Sequence, residues 1–259
     1  MKLLPVELQE LSGMVAVNPD VLACVQDEKG SVFFVDLKDR QRLSSKPFGP
    51  AGDYEGIAAT PDGLWVLRSD GALLRLVADG SQLKIRNTYM MPFKGEFEGL
   101  CFDAARQRLL VLPKGPIDGK RREKARRRIL GFDLVNMVPM EKPVMTLKVE
   151  KVEEQIEDRD LYAPRRTTKK GNLRVDIRLL GSELLVLPGG DLLLLSPKDG
   201  LLVRVNQDGD VVATSEIDTE LLPQPESMAL LPDGRLLIGS EGRGGLALIA
   251  VVDLPEQPQ

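Results

Sequence analysis

The sequence predicts an all-β chain built from repeated units of four short strands, and three observations support this prediction. A short motif with a central glycine recurs at Gly13, Gly56 and Gly99, at intervals of 43 residues. Turn sequences that combine Pro with Asp or Gly occupy the same place in four of the units. The apolar residues between these signals lack the periodicity of amphipathic helices.

Each unit is predicted to contain the motif, a first strand, a turn and three further strands. The second strands are apolar on both faces, which is typical of strands buried between neighbouring layers. They cover residues 21–25, 64–67, 192–195 and 235–238. Because four short strands in roughly 40 to 50 residues are typical of one propeller blade, we predict a β-propeller.

The whole chain, residues 1–259, is predicted to form a single β-propeller domain with five blades. Two later copies of the motif, at Glu183 and Ser227, lie 44 residues apart and complete the five units. The interval from Gly99 to Glu183 spans 84 residues, so a sixth, degenerate blade near residues 135–180 is the alternative. Residues 2–8 are expected to add the outer strand of the last blade, which would close the ring and remove exposed sheet edges.

Two segments interrupt the repeat. We expect a charged insertion at residues 115–128 and an irregular segment at residues 151–178. The insertion contains a basic run at residues 120–128, which suggests a nucleic-acid surface. Because the run has no interleaved aromatic residues and is followed by acidic residues at 150–160, we interpret it as a solvated loop instead.

Composition excludes several classes of function. Lys and Arg total 35 against 39 Asp and Glu, so the net charge of -4 provides no general attraction for nucleic acids or anionic membranes. The chain contains no histidine, which excludes Ser-His-Asp, Cys-His and His-based zinc chemistry. Cys24 and Cys101 lie in apolar runs and are predicted to be buried free thiols. No apolar run is long enough to predict a transmembrane segment.

One phase of the repeat carries the candidate metal ligands. The first strand of each propeller blade lines the central channel, so residues at this phase should converge near the axis. We call them the axial ring: Ser12, Glu55, Glu98, Ser182 and Glu226. Three carboxylates this close would either take up protons or bind a cation, and oxygen-only ligands in an irregular ring favour calcium. The alternative is that each glutamate is a structural peg that accepts hydrogen bonds from backbone amides of the adjacent blade.

A second phase is expected at the channel mouth, where residues follow the second strands. The predicted ligand-binding residues there are Arg68, Asp70, Lys114, Glu241 and Arg243, and Asp27, Glu28 and Lys198 share their phase. Their mixed charge indicates a polar ligand, and basic side chains beside a bound cation would hold a phosphate or carboxylate. Each of these residues alone also fits a solvated loop.

Several short sequence segments resemble those of the SdiA-regulated family of bacterial proteins. They are residues 53–57, residues 97–100 with 109–114, and residues 224–226 with 232–234 and 240–242. The resemblance extends over residues 8–252, and the related NHL and phytase-like propellers have similar blade starts. It implies a five-bladed propeller with calcium at the blade-start glutamates, commonly exported or lipid-anchored and without an established activity.

Glu55, Glu98 and Glu226 match the acidic positions of that family, whereas Ser227 and Glu183 replace expected glycines. The resemblance implies an extracytoplasmic location. Because the first residues lack the apolar region of a secretory signal, a cytoplasmic location is the alternative.

Together these features predict a calcium-binding module that presents one face to a small anionic ligand or to a protein. The alternative is a metal-dependent hydrolase of phosphate or other esters, in which the cation activates water. Nucleic-acid binding through the basic run is the least favoured hypothesis.

Overall fold

The protein is a five-bladed β-propeller. The computed structural model describes residues 1–38, 43–117 and 125–256. Five antiparallel sheets form a ring, and each sheet contributes one blade with four strands. In four blades these strands follow one another in the sequence, whereas the fifth blade takes its outer strand from the N-terminus. The prediction of an all-β propeller with five blades is therefore confirmed.

The strands and helices follow the order of the repeat. The chain begins with β1 (Lys2–Leu3) and a 3-10 turn at Val6–Leu8. The first blade contains β2 (Leu11–Asn18), β3 (Val21–Gln26), β4 (Ser31–Asp36) and β5 (Leu43–Pro47). The second contains β6 (Tyr54–Thr60), β7 (Gly63–Arg68), β8 (Ala72–Asp79) and β9 (Gln82–Met90). The third contains β10 (Phe97–Asp103), β11 (Arg108–Pro113), β12 (Arg126–Asp133) and β13 (Val138–Pro139), with a 3-10 turn at Ala104–Arg106.

An insertion separates the third and fourth blades. It begins with β14 (Met145–Lys148), which pairs with the first half of β12, and continues into the helix α1 (Val149–Asp158). A hairpin of β15 (Arg165–Thr167) and β16 (Leu173–Val175) follows. The fourth blade contains β17 (Glu183–Val186), β18 (Leu192–Ser196), β19 (Leu201–Val205) and β20 (Val211–Glu216), with a 3-10 turn at Pro197–Asp199. The fifth contains β21 (Pro225–Leu230), β22 (Leu236–Ser240) and β23 (Leu248–Val252).

The N-terminal strand closes the ring. Strand β1 pairs with β23 through Lys2 opposite Ile249 and Leu3 opposite Leu248, and so becomes the outermost strand of the fifth blade. This confirms the predicted closure, although only two residues take part. Pro5 cannot donate to a strand ladder, and the chain turns into a 3-10 helix directly after it.

The core lies between neighbouring blades. Val25 of the first blade packs in one hydrophobic cluster with Ile57 and Val66 of the second, and equivalent clusters occupy the other blade interfaces. The second strands contribute to two interfaces at once, which explains why both of their faces are apolar. Burial of these strands fixes the angular position of each blade about the axis.

The segment predicted to be irregular contains regular structure, and the alternative of a sixth blade is wrong. Helix α1 buries Val149, Val152 and Ile156, whose spacing places them on one face, and the helix packs onto the cluster between the third and fourth blades. Its other positions are mostly charged, and this polarity concealed a helix of only ten residues. The long interval between motifs is filled by this helix and the hairpin.

The basic run differs from the predicted solvated loop. Residues 118–124 of the charged insertion lie outside the described residues, but residues 126–128 belong to β12. The Arg127 side chain is buried, and its Nε donates a hydrogen bond of 2.7 Å to the carbonyl of Leu179. Arg127 also donates to the carbonyl of Arg178, so it connects the third blade to the end of the insertion.

Two further sequence predictions can be compared with the structure. Cys24 and Cys101 are both buried free thiols, as expected. Within the described ranges, no helix has the length and apolar character needed to cross a membrane.

Candidate functional site

A β-bulge in the first strand of four blades positions the axial ring. The strand-pairing register skips one residue in β2, β6, β10 and β21. The skipped residues are Ser12, Glu55, Glu98 and Glu226. A bulged residue leaves the ladder and its strand bends, which re-aims the side chain. In the fourth blade, Ser182 directly precedes β17 and donates its N–H to the carbonyl of Leu195 at 3.0 Å.

The glycine that follows three of the four bulges, those at Ser12, Glu55 and Glu98, explains the repeated motif, whereas Ser227 follows the bulge at Glu226. A Cβ placed on Gly13 would lie 2.9 Å from the carbonyl oxygen of Glu55 in the next blade. A Cβ placed on Gly56 would lie 2.9 Å from the carbonyl oxygen of Glu98. Neighbouring first strands therefore approach so closely that no side chain fits between them, and the motif combines this contact with the bulge.

The axial ring lines one cavity. This cavity has a volume of about 660 Å³, and all five residues of the ring contribute to its surface. The structure thus brings together side chains that are far apart in the sequence. Their assignment as metal ligands remains a prediction.

Three of the five predicted mouth residues line the same cavity: Lys114, Glu241 and Arg243. The other two do not reach it. Arg68 and Asp70 form a bidentate ion pair with each other, with Nε–Oδ1 at 3.0 Å and a second contact at 2.7 Å. Arg68 therefore takes no part in the expected basic clamp, since its guanidinium is already paired outside the cavity.

Sequence reasoning overlooked several lining residues. Asp27 and Lys198, which the repeat placed at the mouth phase, line the cavity although they were not among the predicted ligand-binding residues, and Glu28 of the same phase does not line it. Gln224, which directly precedes β21, donates to the Glu241 carboxylate. Tyr162 and Pro164 belong to the insertion, where no repeat phase exists to predict an approach to the cavity.

Lys114 is the basic residue in contact with the axial ring. Its Nζ lies 2.7 Å from Oε1 of Glu98 and 3.9 Å from Oε2 of Glu96. The backbone holds this lysine in place, because its N–H donates to Glu96 at 2.9 Å and its carbonyl accepts from Gly181 at 3.0 Å. Burial is the largest single effect on the pKa of Lys114 and acts to lower it, but the hydrogen bond to Glu98 and the charges of Glu98, Glu55 and Glu96 together outweigh burial, so the pKa is raised.

Burial and mutual repulsion raise the pKa values of the carboxylates. Burial, followed by the charges of Glu98 and Asp53, raises the pKa of Glu55 to about 9. Burial, followed by the charges of Glu241 and Glu98, raises the pKa of Glu226 to about 8. Burial also raises the pKa of Glu98, although Lys114 opposes this effect. The ring therefore lacks the positive charge that would keep all of its carboxylates ionised at neutral pH.

Glu241 extends this acidic group towards the mouth. Burial, followed by the charges of Glu10 and Asp27, raises the pKa of Glu241 to about 7. Burial and the charge of Glu10 likewise raise the pKa of Asp27. The cavity thus contains carboxyl groups that titrate in the range where small changes of environment alter their charge.

The structural peg predicted for the ring glutamates is found at another residue. Glu183 is 1% exposed, and its Oε1 accepts hydrogen bonds from the backbone N–H groups of Leu100 at 3.1 Å and Leu184 at 3.0 Å. Leu100 belongs to the preceding blade. In the described part of the chain, no backbone N–H donates to the carboxylates of the ring; Glu98 instead contacts the ammonium of Lys114, and Glu226 interacts with the side chain of Gln224.

A buried hydroxyl of the axial ring has no partner. Ser182 is 4% exposed, and its Oγ makes no hydrogen bond to any described residue. Ser12 in the same ring donates to the carbonyl of Glu10 at 3.2 Å. An unsatisfied buried hydroxyl costs about 1–3 kcal/mol, so the Ser182 hydroxyl indicates that a ligand or water completes the site.

The chemistry of the donors suits a cation, but their arrangement is not a preformed metal cage. No group of three or more Asp, Glu or Cys side chains within the described ranges is placed to hold a metal ion. The ammonium group of Lys114 also already contacts Glu98. Calcium needs six to eight oxygen ligands at about 2.3–2.6 Å, so the ring would have to contract to bind it.

Comparisons with known proteins support the fold alone. No family model matches the chain, and no curated protein matches it. The glutaminyl cyclase of Myxococcus xanthus is similar in structure, with a TM-score of 0.59 and 15% identity, over 94% of this chain and 92% of that one. The PQQ-bound aldose sugar dehydrogenase of Streptomyces coelicolor gives a TM-score of 0.58 and 14% identity, over 96% of each chain. A chain of a nidogen/laminin complex gives a TM-score of 0.53 and 11% identity, over 89% of this chain and 72% of that one.

These similar structures are β-propellers that include enzymes and a protein–protein complex. At such low identity they establish the propeller fold of this chain and say nothing of its ligand. The resemblance to the SdiA-regulated family therefore remains a prediction.

Proposed function

We propose that the protein is a ligand-binding module that holds a positively charged ligand against the carboxylates of the axial ring. One observation carries the proposal: seven carboxylates but only three basic side chains, counted over the described residues, line the same cavity. The carboxylates are Asp27, Glu55, Glu98, Asp199, Glu216, Glu226 and Glu241, and the bases are Lys114, Lys198 and Arg243. This excess favours a cationic ligand over the anionic one expected from the mouth residues alone.

The raised pKa values support the same conclusion. A cation in the ring would offset the repulsion that raises the pKa values of Glu55 and Glu226, and these groups would release protons as it binds. Binding and deprotonation are linked, so we expect affinity for a cation to increase as the pH rises through about 7 to 9.

Calcium is the inorganic cation favoured by the residue types of the ring. To bind it, Glu98 would have to exchange the ammonium of Lys114 for the ion, and Glu55 and Glu226 would have to move inward. Calcium tolerates such an irregular arrangement of oxygen ligands better than magnesium does. The hydroxyls of Ser12 and Ser182 would then supply neutral ligands.

Calorimetric titration of chelator-treated protein tests the proposal. Calcium and methylammonium are the two probes, each titrated at about pH 6.5 and about pH 8.5. We expect at least one of them to bind, more tightly at the higher pH, and to release protons. Glu98→Gln and Glu226→Gln should weaken binding, whereas Glu141→Gln, an exposed glutamate outside the cavity, should not. If neither probe binds, or if the ring variants bind as well as the wild type, the proposal is wrong.

A metal-dependent hydrolase is the second candidate, and one observation favours it. The pKa values of Glu226 and Glu241, about 8 and about 7, lie in the range useful for general acid–base catalysis. Arg243 lines the same cavity and could receive an anionic group, as could Lys114 if it exchanged its contact with Glu98. Calcium-dependent turnover of aryl phosphate or carboxylate esters that disappears in Glu226→Gln would support this candidate, and no turnover on any ester would reject it.

A further inference from the structure

The cavity is lined by apolar residues as well as by the acidic ring. Six of them, which we call the apolar wall, are Tyr162, Pro164, Leu180, Pro197, Ile217 and Pro223, and the same segments also contribute the charged residues Lys198, Asp199 and Glu216. They come from the insertion and from the loops of the fourth blade and its connection to the fifth. A cavity of about 660 Å³ is within the range of sites for small organic molecules and is much larger than a metal ion requires.

We infer that the ligand is an organic ammonium ion with an apolar body, whose charged head lies at the axial ring and whose body packs against the apolar wall. This inference rests on the proposed function, because it specifies the cation that the ring accepts. It excludes a bare metal ion as the cognate ligand.

Lys114 shows that the ring accepts an ammonium group. Its Nζ lies 2.7 Å from Oε1 of Glu98, a normal distance for a charge-assisted hydrogen bond. The Lys114 side chain is 48% exposed and the Glu98 side chain is 9% exposed, so the ammonium approaches a buried carboxylate from the open side. Glu55 and Glu226 are further carboxylates of the ring that form no ion pair with any described residue, although the charge of Lys114 acts on both at longer range.

The hydroxyl of Ser182 provides the independent sign of a ligand in this ring. It is buried, it has no described partner, and it belongs to a residue that lines the cavity. An ammonium head has three N–H donors and requires several acceptors at once. Two carboxylates and this hydroxyl would satisfy such a head, whereas the arrangement of the described residues does not group three carboxylates as a metal ion would need.

The apolar wall is held in place by buried polar contacts. The carboxylate of Asp199 accepts hydrogen bonds from the N–H groups of Arg178 at 3.0 Å and Leu179 at 2.7 Å. Buried Arg127 donates to the carbonyls of the same two residues. Closer to the surface, the N–H of Tyr162 donates to the carboxylate of Glu216, the last residue of β20 in the fourth blade. The 83% exposed ring of Tyr162 is therefore carried on a fixed backbone, and it is available to an apolar body or to a cation–π contact.

Binding of phenethylammonium tests the inference against two matched probes. Ethylammonium has the charged head without the ring, and 2-phenylethanol has the ring without the charge. We expect phenethylammonium to bind about tenfold more tightly than either, because burial of an aromatic ring and pairing of the charge each contribute. Calcium is titrated in parallel.

Two substitutions assign the two ends of the ligand. Glu226→Gln should weaken binding of both ammonium probes, whereas Tyr162→Ala should weaken binding of phenethylammonium only. Leu173→Ala removes another exposed apolar side chain of the insertion that does not line the cavity, and should change nothing. Glu226→Gln is checked for folding by its thermal transition, and Glu55→Gln serves as a second ring variant.

The outcomes separate this inference from the proposed function. If calcium or ethylammonium binds through the ring but phenethylammonium binds no more tightly than ethylammonium, the inference is overturned and the cation site stands. If 2-phenylethanol binds as tightly as phenethylammonium, the charged head contributes nothing and the inference also fails. If neither calcium nor any ammonium ion binds, the proposed function fails with it.

Discussion

Replacing Glu55 by Gln should stabilise the protein against unfolding at alkaline pH. The substitution removes the charge of a ring carboxyl group but keeps its shape. The pKa of Glu55 is raised from an ordinary value of 4.5 to about 9, first by burial and then by the charges of Glu98 and Asp53. Between these two values the folded protein retains a proton that the unfolded chain has released, so the free energy of unfolding falls as the pH rises. A glutamine side chain does not ionise, so the variant escapes this loss.

The expected gain in the free energy of unfolding follows from the size of the change in the pKa of Glu55. A tenfold change in a protonation equilibrium is worth about 1.4 kcal/mol, so a rise from 4.5 to about 9 sets an upper bound of about 6 kcal/mol. The cavity is open to water, and screening reduces the effective interaction, so we expect about one third of the bound, ~2 kcal/mol. For a chain of this size such a change corresponds to about 4 to 8 °C in Tm.

The assay compares thermal unfolding of the two proteins in chelator at several pH values. The difference in Tm, variant minus wild type, should be small near pH 4.5 and should increase to its full size by about pH 9. Glu141→Gln replaces an exposed glutamate and should give a difference that does not vary with pH. A difference for Glu55→Gln that stays constant with pH, or a variant that is less stable than the wild type at pH 9, would refute the reasoning.

Three other substitutions test the architecture and the ion pair. Gly56→Ala would place a Cβ 2.8 Å from the Cβ of Leu100, so we expect a loss of about 1–3 kcal/mol in a denaturant titration, and a smaller loss for Gly49→Ala, whose nearest neighbours are at 3.5 Å. Arg127→Ala would remove the guanidinium that donates to two carbonyls of the insertion. Hydrogen exchange over residues 149–180 should then accelerate while the blades stay protected. Uniform acceleration over the whole chain would contradict the idea that Arg127 attaches the insertion to the third blade. Lys114→Met would remove the ammonium beside Glu98, whose pKa is raised. The variant should lose more stability relative to the wild type near pH 8.5, where Glu98 is more fully ionised, than near pH 5, and an equal loss at both pH values would show that the charge is unimportant.

The location of most of the candidate site was predictable because the fold is periodic. One repeat corresponds to one blade, so residues at the same phase occupy equivalent places around the axis. Glu55, Glu98 and Glu226 therefore line a common cavity although nothing in their local sequence indicates proximity. The equal spacing of the glycines also indicates equivalent places around the axis, since Gly13 and Gly56 each contact the bulge of the following blade.

Features outside the repeat were not predictable in this way. Helix α1 and the hairpin have no counterpart in the other blades, so no phase indicated that Tyr162 reaches the cavity. Arg127 lies in the blade strand β12, but its partners Arg178 and Leu179 come from the end of the insertion, so the repeat did not indicate its burial. The basic run was interpreted as a solvated loop because charge alone does not reveal that one of its members lies in a strand.

The sequence by itself predicted the all-β class, a propeller of five blades with six as the alternative, the closure by the N-terminal strand and the residues of the axial ring. These properties depend on the spacing of the repeated motifs and turns, which can be read directly from the sequence. Only the tertiary structure decided which charges meet: Arg68 pairs with Asp70 outside the cavity, Lys114 pairs with Glu98 inside it, and Glu183 is the structural peg. Electrostatic interactions depend on distance and burial in three dimensions, and side chains at one phase of a repeat differ in both.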